Sequence, residues 1–212
     1  MDADKVRLYE EADLAIQQMN RDNVEAFGRL KMAKFDEIHV IQTVTTLYRK
    51  QAKKAKRRYY EIAYEAYLLA MLLCEIPQKK AHQMADKAVT AEWVQERMEQ
   101  TDPLTMYRFD AETERKAYRL AEMLEVAPNR NLVIDRALKD WSRQLGQYAI
   151  NITDYAVLRA YEDAGIDMAR WVTQKDERVC TECHGRDGKT YPMDDIPPKP
   201  HMGCRCYWVP AK

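Results

Sequence analysis

Between Gly28 and Pro77 the chain carries neither glycine nor proline, and this breaker-free stretch constrains the fold more than any other feature. Ile38, Ile41, Thr45 and Tyr48, then Tyr60, Tyr64, Tyr67, Leu68 and Met71, recur along it near a 3.6-residue period, the pattern of an amphipathic helix. The spacing predicts one long helix over about 29–75, or two abutting ones. A continuous helix would reach about 70 Å at 1.5 Å per residue. That exceeds what a compact domain needs, and suggests an element that projects or lies against a partner.

The flanking sequence is also helical in pattern. Leu8, Ala12, Ala15, Ile16 and Met19 predict a first amphipathic helix ending near Asn20 to Asn23. After the Ile76-Pro77 break, Met84, Ala88, Ala91 and Val94 carry a helix from Ala81 to Gln100, which Thr101-Asp102-Pro103 stops. Acids between Asp110 and Glu114 suit a first turn, where the helix dipole favours negative charge, and lead into Tyr118, Ala121, Met123 and Leu124. A further helix starts near Leu132 and includes Ile134, Leu138, Trp141 and Leu145. Gly146 either divides it from the helix over Ile152 to Ala164 or merely bends it into that helix. Asp163-Ala164-Gly165 is the stop.

Composition then changes. Five of the eight prolines follow Gln174, together with Gly185, Gly188 and Gly203, so helix is excluded over most of this stretch. Arg170 to Thr173 reads as a strand, Asp187-Gly188 as a tight turn, Lys189 to Tyr191 as its return, and Arg205 to Val209 as a last strand. The expected architecture is mainly α: an elongated helical body over 1–165, followed by a small β-rich knuckle over 166–212, α+β overall.

Thirty-four basic residues balance thirty-four acidic ones, so the chain as a whole does not advertise nucleic acid or an anionic membrane. The N-terminus interrupts its apolar residues with charges, and the longest apolar run, Ala66 to Cys74, is far short of a membrane span; a soluble, intracellular protein is expected. Locally the picture differs. Arg49, Lys50, Lys53, Lys54, Lys56, Arg57 and Arg58 fall in ten positions without an acid. Such a run reads either as a stripe for phosphates or a partner, or as a solvated helical face. Seven charges in ten helical positions cannot share one face, which favours the solvated reading. The tyrosines that follow are expected in the core, and Cys74 as a buried, unreactive thiol.

The remaining four cysteines form Cys180-x-x-Cys183 and Cys204-x-Cys206, with His201 three residues before the second pair. A short segment with little apolar surface needs another means of holding its shape, and paired soft ligands around a tetrahedral zinc provide one. Two cysteines two residues apart present both sulfurs from one turn, and His201-x-x-Cys204 can do so from the other side. Cys206 points to the same face as Cys204 if Arg205 lies on a strand, so four of the five residues Cys180, Cys183, His201, Cys204 and Cys206 are the expected ligands. Disulfides would need an oxidising compartment, and a thioredoxin-like redox pair would need a βαβ setting the sequence lacks. Enough soft ligands exist to close the site, which favours structural over catalytic zinc. Asp176, Glu177, Asp194 and Asp195 read as turn residues, His184 as an exposed neighbour, and His39 and His82 have no partner motif. No GxGxxG, Walker, GxSxG or HExxH motif is present, so no enzyme is expected.

The segment from about Ile150 to Pro210 resembles the C-terminal module of phage Mu F-like minor head proteins. The matching residues are Gly165, Trp171, Asp176, Arg178, Cys180, Cys183, Asp187, Gly188, Lys189, His201, Cys204, Arg205 and Cys206. One departure stands out: relatives often carry an Arg-Thr-Glu triplet where this chain has Ile152-Thr153-Asp154. The resemblance implies a structural minor head protein of a tailed phage or prophage, present in several copies at the portal vertex or head interior after assembly in the host cytoplasm. Its implied partners are the portal protein and capsid or scaffold subunits, with packaged DNA as a further contact, and neither membrane nor small-molecule substrate. Two other classes remain: a zinc-knuckle nucleic-acid-binding protein using the basic run with Arg178, Arg186 and Arg205, and an effector enzyme.

Overall fold

The computed structural model describes residues 3–33, 39–100, 108–175, 177–204 and 206–211. Helix accounts for 74% of the described residues, in seven helices, with one three-stranded antiparallel sheet near the C-terminus. In chain order these are α1 (Ala3–Met32), α2 (Val40–Leu73), α3 (Gln78–Ala88), α4 (Ala91–Glu99), α5 (Phe109–Val126), α6 (Arg130–Asp163), β1 (Met168–Val172), α7 (Thr181–Arg186), β2 (Thr190–Pro192) and β3 (Tyr207–Ala211).

The breaker-free stretch supplies α2, the helix that packs against α1, α3, α4, α5 and α6. Helix therefore starts at Val40 rather than near residue 29, and Ile38 lies outside the described residues. Gly28, read as a boundary, sits inside α1, which runs past Asn23 to Met32. Asn23 is buried and its Oδ1 accepts a hydrogen bond from Trp141 Nε1 at 3.2 Å. Tertiary packing thus keeps α1 helical beyond the point where its own polar residues suggest a stop. At 34 residues each, α2 and α6 are about 50 Å long.

Aromatic residues fill the contact between these helices. Phe27, Tyr48 and Trp141 stack edge to face, with centroids 5.5 and 5.0 Å apart, and Phe109 joins Tyr148 at 4.9 Å. Tyr59 and Tyr67 are fully buried, whereas Tyr60 is exposed and Tyr64 lies at the surface beside His82 and Asp86. Tyr67, Leu68 and Met71 are buried as the pattern predicts, and at the start of that face Tyr59 takes the buried place expected of Tyr60. Cys74 is half-buried against the same core.

Two helix boundaries also differ from the periodicity. The helix expected over 81–100 is broken at Thr90, whose side chain accepts from Trp93 N at 3.1 Å and so caps α4. The Thr101 to Pro103 stop lies outside the described residues. Conversely, α6 is continuous through Gly146, and a Cβ there would stand 3.7 Å from Ile16 on α1. The glycine lies where α1 comes close; it does not end the helix.

The sheet order is β2-β1-β3. All three expected strands are present, each within two residues of its expected limits. Trp171 donates its N–H to Lys189 O and accepts from Gly188 N, both at 2.9 Å, so its backbone faces β2. Trp208 lies opposite Trp171, so by the alternation of an antiparallel ladder the backbone groups of Trp208 and Pro210 point to the outer edge of β3. There Trp208 O accepts from Tyr161 OH of α6 at 3.2 Å, and Pro210 has no N–H to offer. One continuous cluster of buried side chains runs from Tyr9 in α1 to Val209 in β3.

Candidate metal centre

The Cys180-x-x-Cys183 turn opens α7, a six-residue helix inside the segment where proline and glycine argue against helix. Cys180 is its N-cap: the Sγ accepts from Cys183 N at 3.4 Å. A sulfur at this position takes the place of the usual Ser or Asp oxygen, and the N–H favours its thiolate form. Asp187-Gly188 then turns the chain. Asp187 Oδ1 accepts from both Thr173 N at 2.9 Å and Thr173 Oγ1 at 3.0 Å, which ties the end of α7 to the end of β1. Gly188 has φ +76°, a conformation that costs glycine no steric clash.

His201 to Cys204 form the opposing turn. Gly203, at φ +73°, donates its N–H to Gln147 Oε1 of α6 at 2.7 Å. Cys204 N donates to His201 O at 3.3 Å. His201 Nδ1 lies 3.0 Å from Met202 O. A carbonyl only accepts, so Nδ1 carries the proton and Nε2 is the lone-pair nitrogen. Nε2 faces Cys183 Sγ at 3.9 Å.

All five sequence-derived candidates come together. Cys180, Cys183 and His201 form one group and Cys183, Cys204 and Cys206 another, with ligand atoms in each within 4.8 Å of one another. Cys183 belongs to both, and its Sγ lies 3.6 Å from Cys204 Sγ. Around a tetrahedral zinc, two sulfurs stand about 3.8 Å apart and a sulfur and a nitrogen about 3.5 Å. The observed separations fit that donor set, so these residues could hold a metal ion.

Charge in the cluster is uneven. The Cys206 thiol, ahead of the Lys199 ammonium, pulls the Cys204 pKa down to about 5, while desolvation and neighbouring sulfurs push Cys183 up to about 12. Crowded thiols cannot all ionise together without a cation. Cys183, Cys204 and Cys206 are buried, Cys180 and His201 half-buried. His184 is exposed, Asp194 and Asp195 lie in a 3₁₀ turn, and Asp176 and Arg205 are outside the described residues.

The sequence reading missed what holds the cluster to the helices. Lys199, 9% exposed, donates from Nζ to Cys206 O and pairs with Asp154 Oδ2 at 3.2 Å. Tyr9 OH of α1 donates to the other oxygen, Asp154 Oδ1. The ammonium also lies over the Tyr9 ring at 5.4 Å and the Trp171 ring at 5.8 Å. Burial raises the Asp154 pKa, against the lowering effect of Lys199. In the sequence Asp154 stands out only as a departure in a triplet, and nothing local marks Lys199.

The basic run is split among several surfaces. Arg49 pairs with Glu114 at 2.8 Å and Lys56 with Asp110 at 2.7 Å, both on α5. Arg57 and Arg58 share Glu61 at 3.3 and 2.7 Å, and Lys54 faces Asp22 of α1 at 3.7 Å. Lys50 and Lys53 are exposed.

Against known proteins, the family described as phage Mu protein F like protein matches residues 111–209. That span takes in α5 from its third residue, all of α6 and all four clustered cysteines, and stops before the last described residues. No curated protein and no solved structure matches the chain.

Proposed function

We propose, from the premise that residues 111–209 make this chain a phage Mu F-like head morphogenesis protein, that it acts as a structural minor head component stapled by zinc. The observation that carries the staple is the convergence of Cys180, Cys183, His201, Cys204 and Cys206, four of which would bind one ion. The family match supports the setting, a structural part of a phage head, and assembly in the host cytoplasm is the proposed route to it. Among the described residues no helix is long and apolar enough to cross a membrane.

In this reading the metal has no reaction to perform. It fixes the Cys180 turn to the Cys204 turn, and through Gly203 and Lys199 fixes both to α6. The long helices then offer docking surface to portal, capsid or scaffold subunits, in several copies per particle. The head interior or portal vertex is the proposed location, with packaged DNA as a further neighbour. No catalytic step and no small-molecule substrate enter the proposal.

The pairing of Arg49 and Lys56 with acids of α5 weighs against one continuous nucleic-acid stripe along the basic run. Protein produced without added metal should contain about one zinc per chain by elemental analysis, falling to none when Cys180 and Cys183 are both serine. A folded, metal-free protein with five titratable thiols would overturn the staple. Co-purification with portal protein from cells expressing both tests the setting.

A further inference from the structure

A crevice of about 260 Å³ opens between α1, α2 and α6, and Lys54, Arg57 and Arg58 line it together with Asp22, Glu61 and Asn23. Lys54 faces Asp22 at 3.7 Å and Arg57 and Arg58 share Glu61, so three cations against two carboxylates leave it one positive charge in excess. Asn23 is 1% exposed, and its Nδ2 has no hydrogen-bond partner among the described residues. The orientation of that amide is fixed. Trp141 Nε1 can only donate, and it points at Asn23 Oδ1 at 3.2 Å, so what Asn23 has left to offer is the NH₂ group.

A buried N–H donor without an acceptor costs free energy, and native proteins almost always satisfy it. An acceptor that fits the crevice and suits three cations at its wall would satisfy this donor. We infer that this crevice binds a phosphate-class oxyanion, with Asn23 Nδ2 donating from the floor and Lys54, Arg57 and Arg58 closing around the charge. The cavity exceeds what one ion fills, so the phosphate group can belong to a larger molecule. An adjoining hollow of about 290 Å³, which shares Asp22, Gln51 and Lys54 and adds Arg29 and Lys50, extends it along α2. The inference concerns residues outside the cysteine module and does not rest on the family assignment.

Calorimetric titration of the full chain with inorganic phosphate, against chloride at equal ionic strength, tests it. Saturable binding is expected. Lys54→Met, at a half-exposed position that leaves the core untouched, should weaken it about tenfold, and Arg58→Gln by a similar factor. Asn23→Asp keeps the acceptor for Trp141 but sets a carboxylate at the floor, and should abolish binding. No saturable heat, or an affinity unmoved by Lys54→Met and Arg58→Gln, would overturn the site even if the Asn23 variant does not fold. A short oligothymidylate forms the second arm. Its displacement of phosphate would identify a nucleic-acid backbone as the source, and binding of phosphate alone would identify a free ion; either result upholds the crevice.

Discussion

Lys199 places its ammonium among three elements at once: the carboxylate of Asp154 on α6, the Tyr9 ring on α1 and the backbone of Cys206. Breaking such a buried pair from one side leaves an uncompensated charge, which costs about 3–5 kcal/mol. Lys199→Met alone should therefore lower unfolding free energy by about that amount in urea titrations, and Asp154→Leu should do likewise. The double variant should lose clearly less than the sum of the two, because no charge is stranded. Strict additivity would show that the two groups do not depend on each other. The cysteines were legible from sequence because few roles suit four thiols and a histidine in so short a run. Lys199 and Asp154 were not, since a lysine among prolines and an acid on a helix look solvated until distant elements bury them. Tyr59 and Tyr60 illustrate the same point: both fit a helical pattern, and only packing against Phe109 at 5.8 Å selects Tyr59.

Among elements, α7 and the turn after it would gain most from a metal held by the cysteine cluster. Helix of six residues has little stability of its own, and the Met193 to Cys204 stretch holds only a 3₁₀ turn before the second ligand pair. Strand β1, by contrast, is sandwiched between β2 and β3, with Ala169 and Trp171 buried. Removing zinc with a chelator should speed amide hydrogen exchange across 177–204 while α2 and α6 keep their protection. Equal loss in α6 would mean that the staple supports the helices as well as the module. Strand positions were readable from β-branched and aromatic residues between turn signals. The C-terminal ends of α1 and α3 were not, because no glycine or proline marks them, and the Thr90 cap on α4 interrupts a pattern whose apolar period runs on.

For the whole molecule, the proposed division into 1–165 and 166–212 is one of composition, and the buried cluster crosses it without a gap. Tyr9 meets Tyr207 at 5.9 Å, and Tyr161 reaches the edge of β3. Scanning calorimetry of the metal-loaded chain should accordingly show one cooperative transition; two resolved transitions would establish separate folding units. The outer rim of that sheet has a bearing on how such chains live beside one another. With Trp208 O already taken by Tyr161, and a proline next along the same rim, a neighbouring chain finds almost nothing there to zip onto. Edge-to-edge pairing of another chain onto this strand is thereby disfavoured.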